Sequence, residues 1–542
     1  MTSEVFNPGR RSIMIATAAA AVAAGIRFDP ARAQAPAGAP APKRGGSMTI
    51  ALQVEPPTLV SVTNVNTFAI AVSAKVTEGL LWYDNDMQPH PQLAVSWDVA
   101  PDGLTYTFKL REGVKWHDGK PFTAADVAYS IGLMKQSHPR GRAVFAHVQS
   151  IETPDPLTVV LHLDTPVPYL IRGFAAGEAP IVPKHVYEGT DPVTNPNNSA
   201  PVGTGPFRFK EWVRGSHILY VRNDDYWDAP RPYLDQLIVK FILDPAGRSA
   251  ALESGEADVG YRTPVALSDV ARLMKEGKLG FETDGYAYSN NVASIDFNLE
   301  NPYFSKPEVR QAVAHAIDIQ AVCKTIYYGT YTPCSAPIAP FQKEYHSPDP
   351  SPYAYDRAKA EALLDAAGYP RGADRMRFKV RFDAASTIEE ARRLAEFVRA
   401  SLARIGIAVE IRTPDVGTYI KRMYTDRDFD FACNTYSNLY DPSVGVQRLY
   451  WSKNILKGVP YSNGTYYRND KVDRLLEAAA VENDPARRKE MFLEFQKIVM
   501  ADLPNINIGV PRWYTIHTRR ALGHSVTADG LEGNLAHAYV TG

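Results

Sequence analysis

The segment from residue 378 to residue 411 restricts the possible folds of this chain more than any other. Residues 378–382 and 407–411 have the apolar pattern of strands. Between them, Ser386 and Glu389 match the capping box that starts a helix, and Gly406 matches a helix stop. The apolar face of this helix consists of Leu394, Ala395, Val398, Leu402 and Ile405. A strand, an amphipathic helix and a strand in this order form a βαβ unit, which requires parallel strands covered by helices. The sequence therefore predicts an α/β fold.

Other segments repeat this mixture of strands and helices. Alternating apolar residues predict a half-buried strand at 105–110. Thr123 with Asp126, and Ser305 with Glu308, each match a capping box and predict a helix start. Periodicity and turn residues further predict a helix at 485–500 and strands at 47–54, 207–212 and 429–433.

The composition is that of a large globular protein. The chain has 542 residues, of which 45% are hydrophobic and 22% charged, with 59 Lys and Arg against 60 Asp and Glu. This hydrophobic fraction supplies substantial buried cores, and the near-neutral charge gives no argument for a nucleic-acid partner. No apolar run reaches the roughly 18 to 20 residues that cross a bilayer. We therefore expect a soluble protein that does not bind nucleic acid.

The first 33 residues have the layout of an export signal. Arg10 and Arg11 precede a weakly apolar, Ala-rich run at 13–26, and the small residues at 31–33 form a cleavage site before Gln34. The paired arginines and the low hydrophobicity favour the twin-arginine route. Residues 34–46 then read as a flexible tether. The expected location is the periplasm, without a lipid anchor because no Cys follows the cleavage site.

Recognisable catalytic motifs are missing from the sequence. It contains no G-x-S-x-G elbow, no H-E-x-x-H, no phosphate-binding G-x-x-x-x-G-K-[ST] and no C-x-x-C. We therefore predict that the chain is not an enzyme and has no catalytic residues, cofactor or metal site. Cys323, Cys334 and Cys433 leave two possibilities open, namely one disulfide in any of three pairings or three unbonded thiols.

Two adjoining blocks identify a family. The chain carries LAVSW at 93–97 and PDGLTYTFKLREGVKWHDG at 101–119. These blocks resemble the signature of the bacterial extracellular solute-binding proteins of family 5, the oligopeptide, dipeptide and nickel receptors of ABC importers. The resemblance continues in order through GTGPF at 203–207, NDDYW at 223–227, PEVRQA at 307–312, AID at 316–318 and ALLDAAGYP at 362–370. It thus covers nearly the whole mature chain.

This resemblance implies a two-lobed, hinged periplasmic binding protein, class II-like, with an extra subdomain in lobe I. Lobe I is expected at 47–289, with the inserted subdomain at about 79–201, and lobe II at 290–508. Residues 509–542 would return to lobe I. Such proteins close over a small solute and deliver it to a membrane permease driven by ATPase subunits. We expect a monomer.

A first wall of the ligand site is expected in the loop after the first strand. Glu55 lies in a segment that matches the family's E-P loop, where its carboxylate would meet a cationic group or stay an ordinary exposed loop residue. Thr67 and Phe68 follow shortly afterwards and would line the same wall. The cleft between lobes is where ligands bind in this architecture.

A second wall is expected directly after the predicted strand 429–433. Because side chains alternate between the two faces of an extended strand, Asn434, Tyr436, Asn438 and Tyr440 are expected on one face. Their amides and phenols suit a peptide-like or amphiphilic solute. The alternative is ordinary loop solubility.

The same segment departs from the family pattern. Peptide receptors of this family usually place an Asp about four residues before the Pro of this loop, where it pairs with the ligand's ammonium. Here Asn438 has that place and Asp441 immediately precedes Pro442, so either Asp441 compensates or the ligand lacks the amine. Arg448 is a candidate for a ligand carboxylate, and Trp451 follows it.

The resulting hypothesis is a receptor for a di- or oligopeptide-like solute. A non-peptide solute on the same fold, namely an opine, a saccharide or a metal chelate, is the alternative. A periplasmic hydrolase and a periplasmic chaperone are more remote alternatives.

Overall fold

Three β-sheets organise the chain in a computed structural model, which describes residues 41–386 and 388–541. The first sheet has seven strands, in the order Gly280–Glu282, Thr515–His517, Val259–Gly260, Ser47–Leu52, Gln236–Phe241, His217–Arg222 and Phe207–Val213. A four-stranded sheet follows the order Ala94–Val99, Thr105–Leu110, Thr158–Leu163 and Val148–Asp155. The predicted signal segment 1–33 and residues 34–40 of the predicted tether lie outside the described residues.

The third sheet has six strands from the second half of the chain. Their order is Tyr331–Pro333, Asn505–Pro511, Asn291–Phe297, Phe431–Ser437, Phe378–Asp383 and Ile407–Arg412. Two small sheets pair Leu81–Tyr83 with Pro89–Pro91 and Ala521–Leu522 with Tyr539–Val540. The mixture of parallel and antiparallel pairing in large sheets confirms the α/β prediction.

Helices cover these sheets. Those of seven or more residues are Thr67–Ser73, Ala124–Ser137, Pro245–Ser254, Leu267–Glu276, Pro307–Ala316, Ile319–Thr325, Arg357–Ala366, Glu389–Ala403, Asp470–Val481 and Pro485–Asp502. The short ones are Gly141–Val144, Lys184–Tyr187, Val416–Ile420, Pro442–Gly445 and Gln447–Tyr450. Within residues 41–386 and 388–541, no helix is both long and apolar enough to span a bilayer.

The chain passes between the seven-stranded and six-stranded sheets twice, at residues 283–290 and 512–514. We name the part with the seven- and four-stranded sheets lobe I and the part with the six-stranded sheet lobe II. Each has its own apolar core, around Ile50 and Val239 in lobe I and around Ile295 and Phe382 in lobe II. The four-stranded sheet packs a third cluster, which extends beyond the predicted subdomain to Tyr288 of the first crossing and Tyr440 of lobe II. The predicted end of lobe II at residue 508 falls inside a strand of its sheet, which continues to Pro511.

The predicted βαβ unit is present. Phe378 pairs with Ile407 in parallel register, and the helix between the two strands buries Leu394, Val398 and Leu402. The predicted capping box at Ser386 is wrong, because the helix begins at Glu389 and the backbone N–H of Ser386 donates to the carbonyl of Pro414 instead. The pattern of apolar residues thus located the unit correctly, although it misplaced the cap.

Of the two other predicted capping boxes, one is present in the structure and the other is not. The backbone N–H of Thr123 donates to the carboxylate of Asp126 at 2.9 Å, which confirms the first. The second is wrong, because Lys306 is the N-cap and the hydroxyl of Ser305 donates to the carbonyl of Pro302. The helix begins at Pro307, whose fixed φ suits the first helical position.

The strand predicted at 429–433 runs from Phe431 to Ser437 instead. Asn434 pairs with Ser294 and Ser437 with Asn291, so the polar residues continue the ladder. They do so because tertiary pairing with a buried neighbouring strand outweighs their low strand propensity. Residues 434–437 therefore belong to the sheet.

The three cysteines are unbonded in the structure. Cys323 and Cys334 are buried, and Cys433 is half-buried. Of the two possibilities left open by the sequence, the structure has the three free thiols.

Candidate ligand-binding cleft

Tyr440 is one of the residues of lobe II that contact lobe I, together with Glu344 and Asp441, which pair with Arg172. Tyr440 follows strand Phe431–Ser437 of lobe II, is 2% exposed, and packs edge-on against Tyr288 of the first crossing with ring centroids 5.9 Å apart. Its hydroxyl lies so close to the subdomain of lobe I that a Cβ on Gly173 would be 3.1 Å from it. This hydroxyl has no hydrogen-bond partner among the described residues.

An ion pair from the subdomain lies on the same side. Nη1 of Arg140 is 2.8 Å from Oε1 of Glu178. Burial raises the pKa of Glu178 to about 7, with Glu532 adding to the shift and Arg140 opposing it. The buried Nε of Arg140 finds no partner in the part of the chain that the structure describes. Arg140 therefore has a donor left for a further acceptor.

A second arginine lies where the two crossings meet. Arg262 stacks on the ring of Trp513 at 4.5 Å, its Nη1 donates to the hydroxyl of Thr67 at 3.4 Å, and it lies 3.8 Å from the carboxylate of Glu532. Trp513 in turn donates to the carbonyl of Ser289 at 3.1 Å, which joins the crossings to each other. The Nε of Arg262 has no partner among residues 41–386 and 388–541.

Phe68, next to Thr67, packs edge-on against Tyr261 at 6.0 Å. The hydroxyls of Tyr261 and Ser289 both donate to Glu532, the latter at 3.1 Å. Thr67 and Phe68 thus lie beside the Arg262 group, away from Glu55, whose wall the sequence predicted them to share.

Arg448 of lobe II hydrogen-bonds to backbone carbonyls and has no acidic partner within 4 Å among the described residues. Its guanidinium donates to the carbonyls of Ser437, Gly445 and Tyr461 at 3.2, 3.1 and 2.8 Å. Burial lowers the pKa of Arg448, and the positive charge of Arg140 lowers it further.

Asn434 and Tyr436 share one side of their strand, as period two predicts. Both donate to Oδ2 of the buried Asp296, at 2.7 and 2.6 Å. The hydroxyl of Tyr424 lies 3.1 Å from that of Tyr436. Burial raises the pKa of Asp296, whereas these hydrogen bonds lower it.

Two predicted ligand contacts are engaged inside lobe II. The side-chain oxygen of Asn438, which is 1% exposed, accepts from the backbone N–H of Ala339 at 2.6 Å. Asp441 is fully buried, and its carboxylate accepts from Arg488 at 2.6 and 2.8 Å and from the N–H of Ser443. These contacts fix the loop that positions Tyr440.

Two further residues predicted as ligand contacts, Glu55 and Trp451, are hydrogen-bonded to other protein groups. The carboxylate of Glu55 accepts from the N–H of Gly215 at 3.0 Å. The indole N–H of Trp451 donates to Glu477 at 2.8 Å. Neither is brought beside the Arg140 or Arg262 group by a contact in the structure.

Two cavities flank the first crossing. One of about 200 Å³ is lined by Arg172 of the subdomain, Asn290, and Phe341 and Tyr440 of lobe II. The other, of about 190 Å³, shares Asn290 and Phe341 and reaches Trp513. Both cavities are lined by residues from both lobes. No group of three His, Cys, Asp or Glu side chains suited to a metal occurs in the described residues.

The sequence analysis missed Arg140, Glu178, Arg262, Glu532 and Trp513. They come from distant segments without a shared motif, so local patterns hold no signal for them.

Comparison with known protein families identifies the family of this chain. The family model described as "Bacterial extracellular solute-binding proteins, family 5 Middle" matches residues 88–458. The chain belongs to this family. Family 5 proteins bind small solutes and work with the permease and ATPase subunits of ABC transporters.

Curated relatives of this family 5 protein include a glutathione-binding protein and putative peptide-binding proteins. The glutathione-binding protein GsiB of Pectobacterium atrosepticum is 28% identical, over 85% of this chain and 88% of that one. A putative ABC transporter peptide-binding protein of Brucella ovis is 31% identical, over 79% of this chain and 80% of its own length.

Solved structures show the same fold. The periplasmic binding protein DppA of Helicobacter pylori, in complex with the peptide STSA, is 26% identical with a TM-score of 0.77, covering 92% of this chain and 98% of that one. AgaA from A. tumefaciens R10, in complex with agropinic acid, is 30% identical with a TM-score of 0.74, covering 92% and 99%. The expected two-lobed binding-protein fold is confirmed. The relatives are binding proteins of ABC transporters, with different ligands.

Proposed function

We propose that this chain is the periplasmic receptor of an ABC importer and captures a di- or oligopeptide-like solute between its lobes. The observation that carries the proposal is the close approach of the Tyr440 hydroxyl from lobe II to Gly173 of the subdomain, with the charges of Arg140 and Glu178 near enough to act on the pKa of Tyr440. Two polar groups in this cluster, the Tyr440 hydroxyl and the Arg140 Nε, are buried without a partner among the described residues. Buried polar groups in proteins are normally bonded, so a bound solute is the natural partner.

Hinge closure supplies the affinity. A solute that contacts Arg140 and Arg262 of lobe I together with Tyr440 and Arg448 of lobe II binds the closed arrangement more tightly than the open one. The closed population then rises by that differential affinity. The arginines suit carboxylates, Glu178 and Glu532 suit an ammonium or amide N–H, and the tyrosines offer flat apolar area. A peptide carries all three kinds of group.

The partners in this proposal follow from the family. The receptor acts as a monomer without nucleic acid, is exported to the periplasm by its N-terminal segment, and presents the loaded, closed form to its permease. It has no catalytic role, and Glu55, Thr67, Phe68, Asn434 and Tyr436 support or line the cleft.

A non-peptide solute such as an opine is the second candidate, favoured by one observation. Asn438 holds the place where peptide receptors of this family usually have an Asp, and its amide oxygen is engaged by Ala339. A free ammonium would therefore lack its usual carboxylate there. The relative with agropinic acid, at 30% identity, is consistent with this candidate.

Native mass spectrometry of the mature protein, purified without refolding, tests the proposal. A heterogeneous set of short peptides released on denaturation is the expected result. A single non-peptide mass would keep the receptor and replace the peptide by the second candidate. If the protein is empty, a thermal-shift screen with peptides, opines and metal chelates decides between them. A solute that is turned over rather than released intact would contradict the receptor role.

A further inference from the structure

The polar contacts between lobe II and lobe I away from the two crossings all fall on the inserted subdomain. Nη2 of Arg172 in the subdomain donates to Oε2 of Glu344 in lobe II at 3.0 Å. Nη1 of Arg172 lies 3.9 Å from Oδ2 of the fully buried Asp441. Outside the crossings, no hydrogen bond or ion pair among residues 41–386 and 388–541 joins lobe II to the seven-stranded part of lobe I.

Two further contacts join other segments of the subdomain to lobe II. The side-chain amide of Asn483, between helices Asp470–Val481 and Pro485–Asp502, donates to the carbonyl of Asp102 at 3.3 Å. Nζ of the exposed Lys343 lies 3.6 Å from the carboxylate of Asp86. Any rotation at the crossings that parts the lobes has to break these contacts together with those of Arg172.

The side chain of Arg172 is held in position from within lobe I. The carbonyl of Arg172 accepts from the hydroxyl of Tyr288 in the first crossing at 2.9 Å, and the carbonyl of Ile171 accepts from the hydroxyl of Tyr83. These bonds fix the turn that presents the guanidinium to lobe II. A guanidinium held in this way loses little freedom when it pairs with a carboxylate.

Apolar contacts accompany the ion pairs. Leu439 and Tyr440 of lobe II belong to the apolar cluster of the four-stranded sheet, and Phe341 packs against it. Gln342, next to Phe341, donates to the carbonyl of Leu439 at 2.9 Å, which joins the two lobe II segments that meet the subdomain. Lobe II thus presents one connected surface to the subdomain.

We propose that the inserted subdomain is a clasp for lobe II, which holds the lobes together before any solute has bound. The clasp consists of Arg172, Asp86 and Asp102 on the subdomain with Glu344, Lys343 and Asn483 on lobe II. The inference rests on the proposed receptor function and adds a role for the subdomain, whichever solute is carried. Half-exposed ion pairs contribute little each, so the clasped form is favoured only slightly and reopens to admit a solute.

Such a clasp raises the affinity for every solute of this receptor. A solute that binds the closed arrangement has an apparent dissociation constant that falls as the closed fraction of the empty protein rises. The clasp lies on subdomain contacts, so it changes the affinity without choosing between solutes.

Pulsed electron paramagnetic resonance on the solute-free protein tests this role. Spin labels are placed at Asp98→Cys in the subdomain and Lys489→Cys in lobe II, both exposed positions. The mature protein is stripped of solute in guanidinium and refolded, and the same protein without the two introduced Cys gives the labelling background of the native thiols. We expect a major shorter distance from clasped molecules and a minor longer one.

Variants of the clasp should shift this distribution. Arg172→Gln and Glu344→Gln are each expected to raise the ratio of longer to shorter distances by about two- to fivefold, the scale of a half-exposed ion pair. Glu344→Gln should add nothing in the Arg172→Gln background, because both changes remove the same pair. Asn483→Ala removes a separate hydrogen bond and should add about a further twofold.

The matched controls remove the same charges from an ion pair inside a single helix. Arg399→Gln and Glu396→Gln break a pair within helix Glu389–Ala403 of lobe II and should leave the distances unchanged. Salt gives an independent readout. Raising NaCl from about 0.05 M to about 1 M should lengthen the distances in the wild type and have less effect in Arg172→Gln, because salt screens exposed pairs.

The outcomes separate the clasp from the receptor proposal. A solute-free wild type with only the longer distance overturns the clasp. Identical distributions in the wild type, Glu344→Gln and Asn483→Ala also overturn it, and both of these changes are at exposed side chains that the fold does not need. No solute enters these measurements, so either failure leaves the receptor proposal standing. A solute that is turned over would overturn the receptor and leave the distances as they are.

Discussion

The carboxylate of Asp441 and the guanidinium of Arg488 form a doubly hydrogen-bonded ion pair inside lobe II. The two bonds measure 2.6 and 2.8 Å, and the side chains are 0% and 3% exposed. Arg488 also donates to the hydroxyl of Tyr345 at 2.6 Å, while Asp441 caps helix Pro442–Gly445. The pair therefore anchors the loop that carries Tyr440 towards lobe I.

Removing the charge of Asp441 leaves the guanidinium of Arg488 buried without its partner. We expect Asp441→Asn to lower the free energy of unfolding by roughly 3 kcal/mol or more, since breaking one side of a buried ion pair is strongly destabilising. Urea denaturation of the ligand-free protein measures it. The control Asp426→Asn breaks an ion pair with Lys421 at the surface and should cost under about 1 kcal/mol. Equal losses in the two variants would count against the anchoring role.

The close approach of the Asn438 backbone requires a glycine at position 445. A Cβ at this position would lie 1.9 Å from the carbonyl oxygen of Asn438, so Gly445→Ala must displace the loop. We expect a loss of at least about 2 kcal/mol, the scale of overpacking and strain. Gly132→Ala is the matched control, because a Cβ there meets nothing within 4 Å in helix Ala124–Ser137. That change should stabilise by up to about 1 kcal/mol. Thermal unfolding that moves both variants in the same direction would refute this assignment.

Glu178 makes stability depend on pH. Burial raises its folded pKa from 4.5 to about 7, so the folded state holds this proton more tightly than the unfolded chain does. The contribution of protonated Glu178 to the free energy of unfolding is fully present below pH 4.5 and is lost as the pH rises through about 7.

Glu178→Gln should remove this loss. Between about pH 5 and about pH 8, we expect the wild type to lose on the order of 2 kcal/mol relative to the variant. Chemical denaturation of both proteins across this range gives the difference. Glu396→Gln, on an exposed helix face, should follow the wild type. Parallel profiles for wild type and Glu178→Gln would contradict the shift.

The cysteines should be unreactive in the folded protein. Burial raises the pKa of Cys323 and of Cys334 to about 11, and that of Cys433 to about 12, so thiolate is scarce at neutral pH. We expect iodoacetamide to leave the native protein unmodified and to label all three thiols after unfolding without reductant. A thiol that appears only after reduction would reveal a disulfide instead.

Local sequence patterns correctly located those helices and strands that are determined by residues close together in the sequence. The βαβ unit and the Thr123 cap depend on side chains a few residues apart, and both are present. Ser305 matches the same cap pattern but fails because Pro307 determines where the helix starts. Strand Phe431–Ser437 continues through polar residues because its neighbour Asn291–Phe297 pairs with them, and that neighbour lies far away in sequence.

The candidate cleft was predictable only in part for the same reason. Thr67, Tyr440 and Arg448 could be proposed for the cleft because they follow recognisable strands or family blocks, and their roles stay predictions. Arg140, Arg262 and Glu532 lie in three other segments, and only the fold brings Arg140 to Glu178 and Arg262 to Glu532. Asn438 and Asp441 have the composition of a binding loop, yet their buried partners Ala339 and Arg488 are 99 and 47 residues away.

The last strands of the chain have a consequence for biosynthesis. Asn505–Pro511 lies inside the six-stranded sheet, and Thr515–His517 lies between Gly280–Glu282 and Val259–Gly260 in the seven-stranded sheet. Neither sheet can be completed until these residues have left the ribosome, so vectorial synthesis cannot finish one lobe before the other. Premature termination or proteolytic trimming near residue 504 would therefore leave an unpaired edge in both lobes at once, with the aggregation hazard that such edges carry.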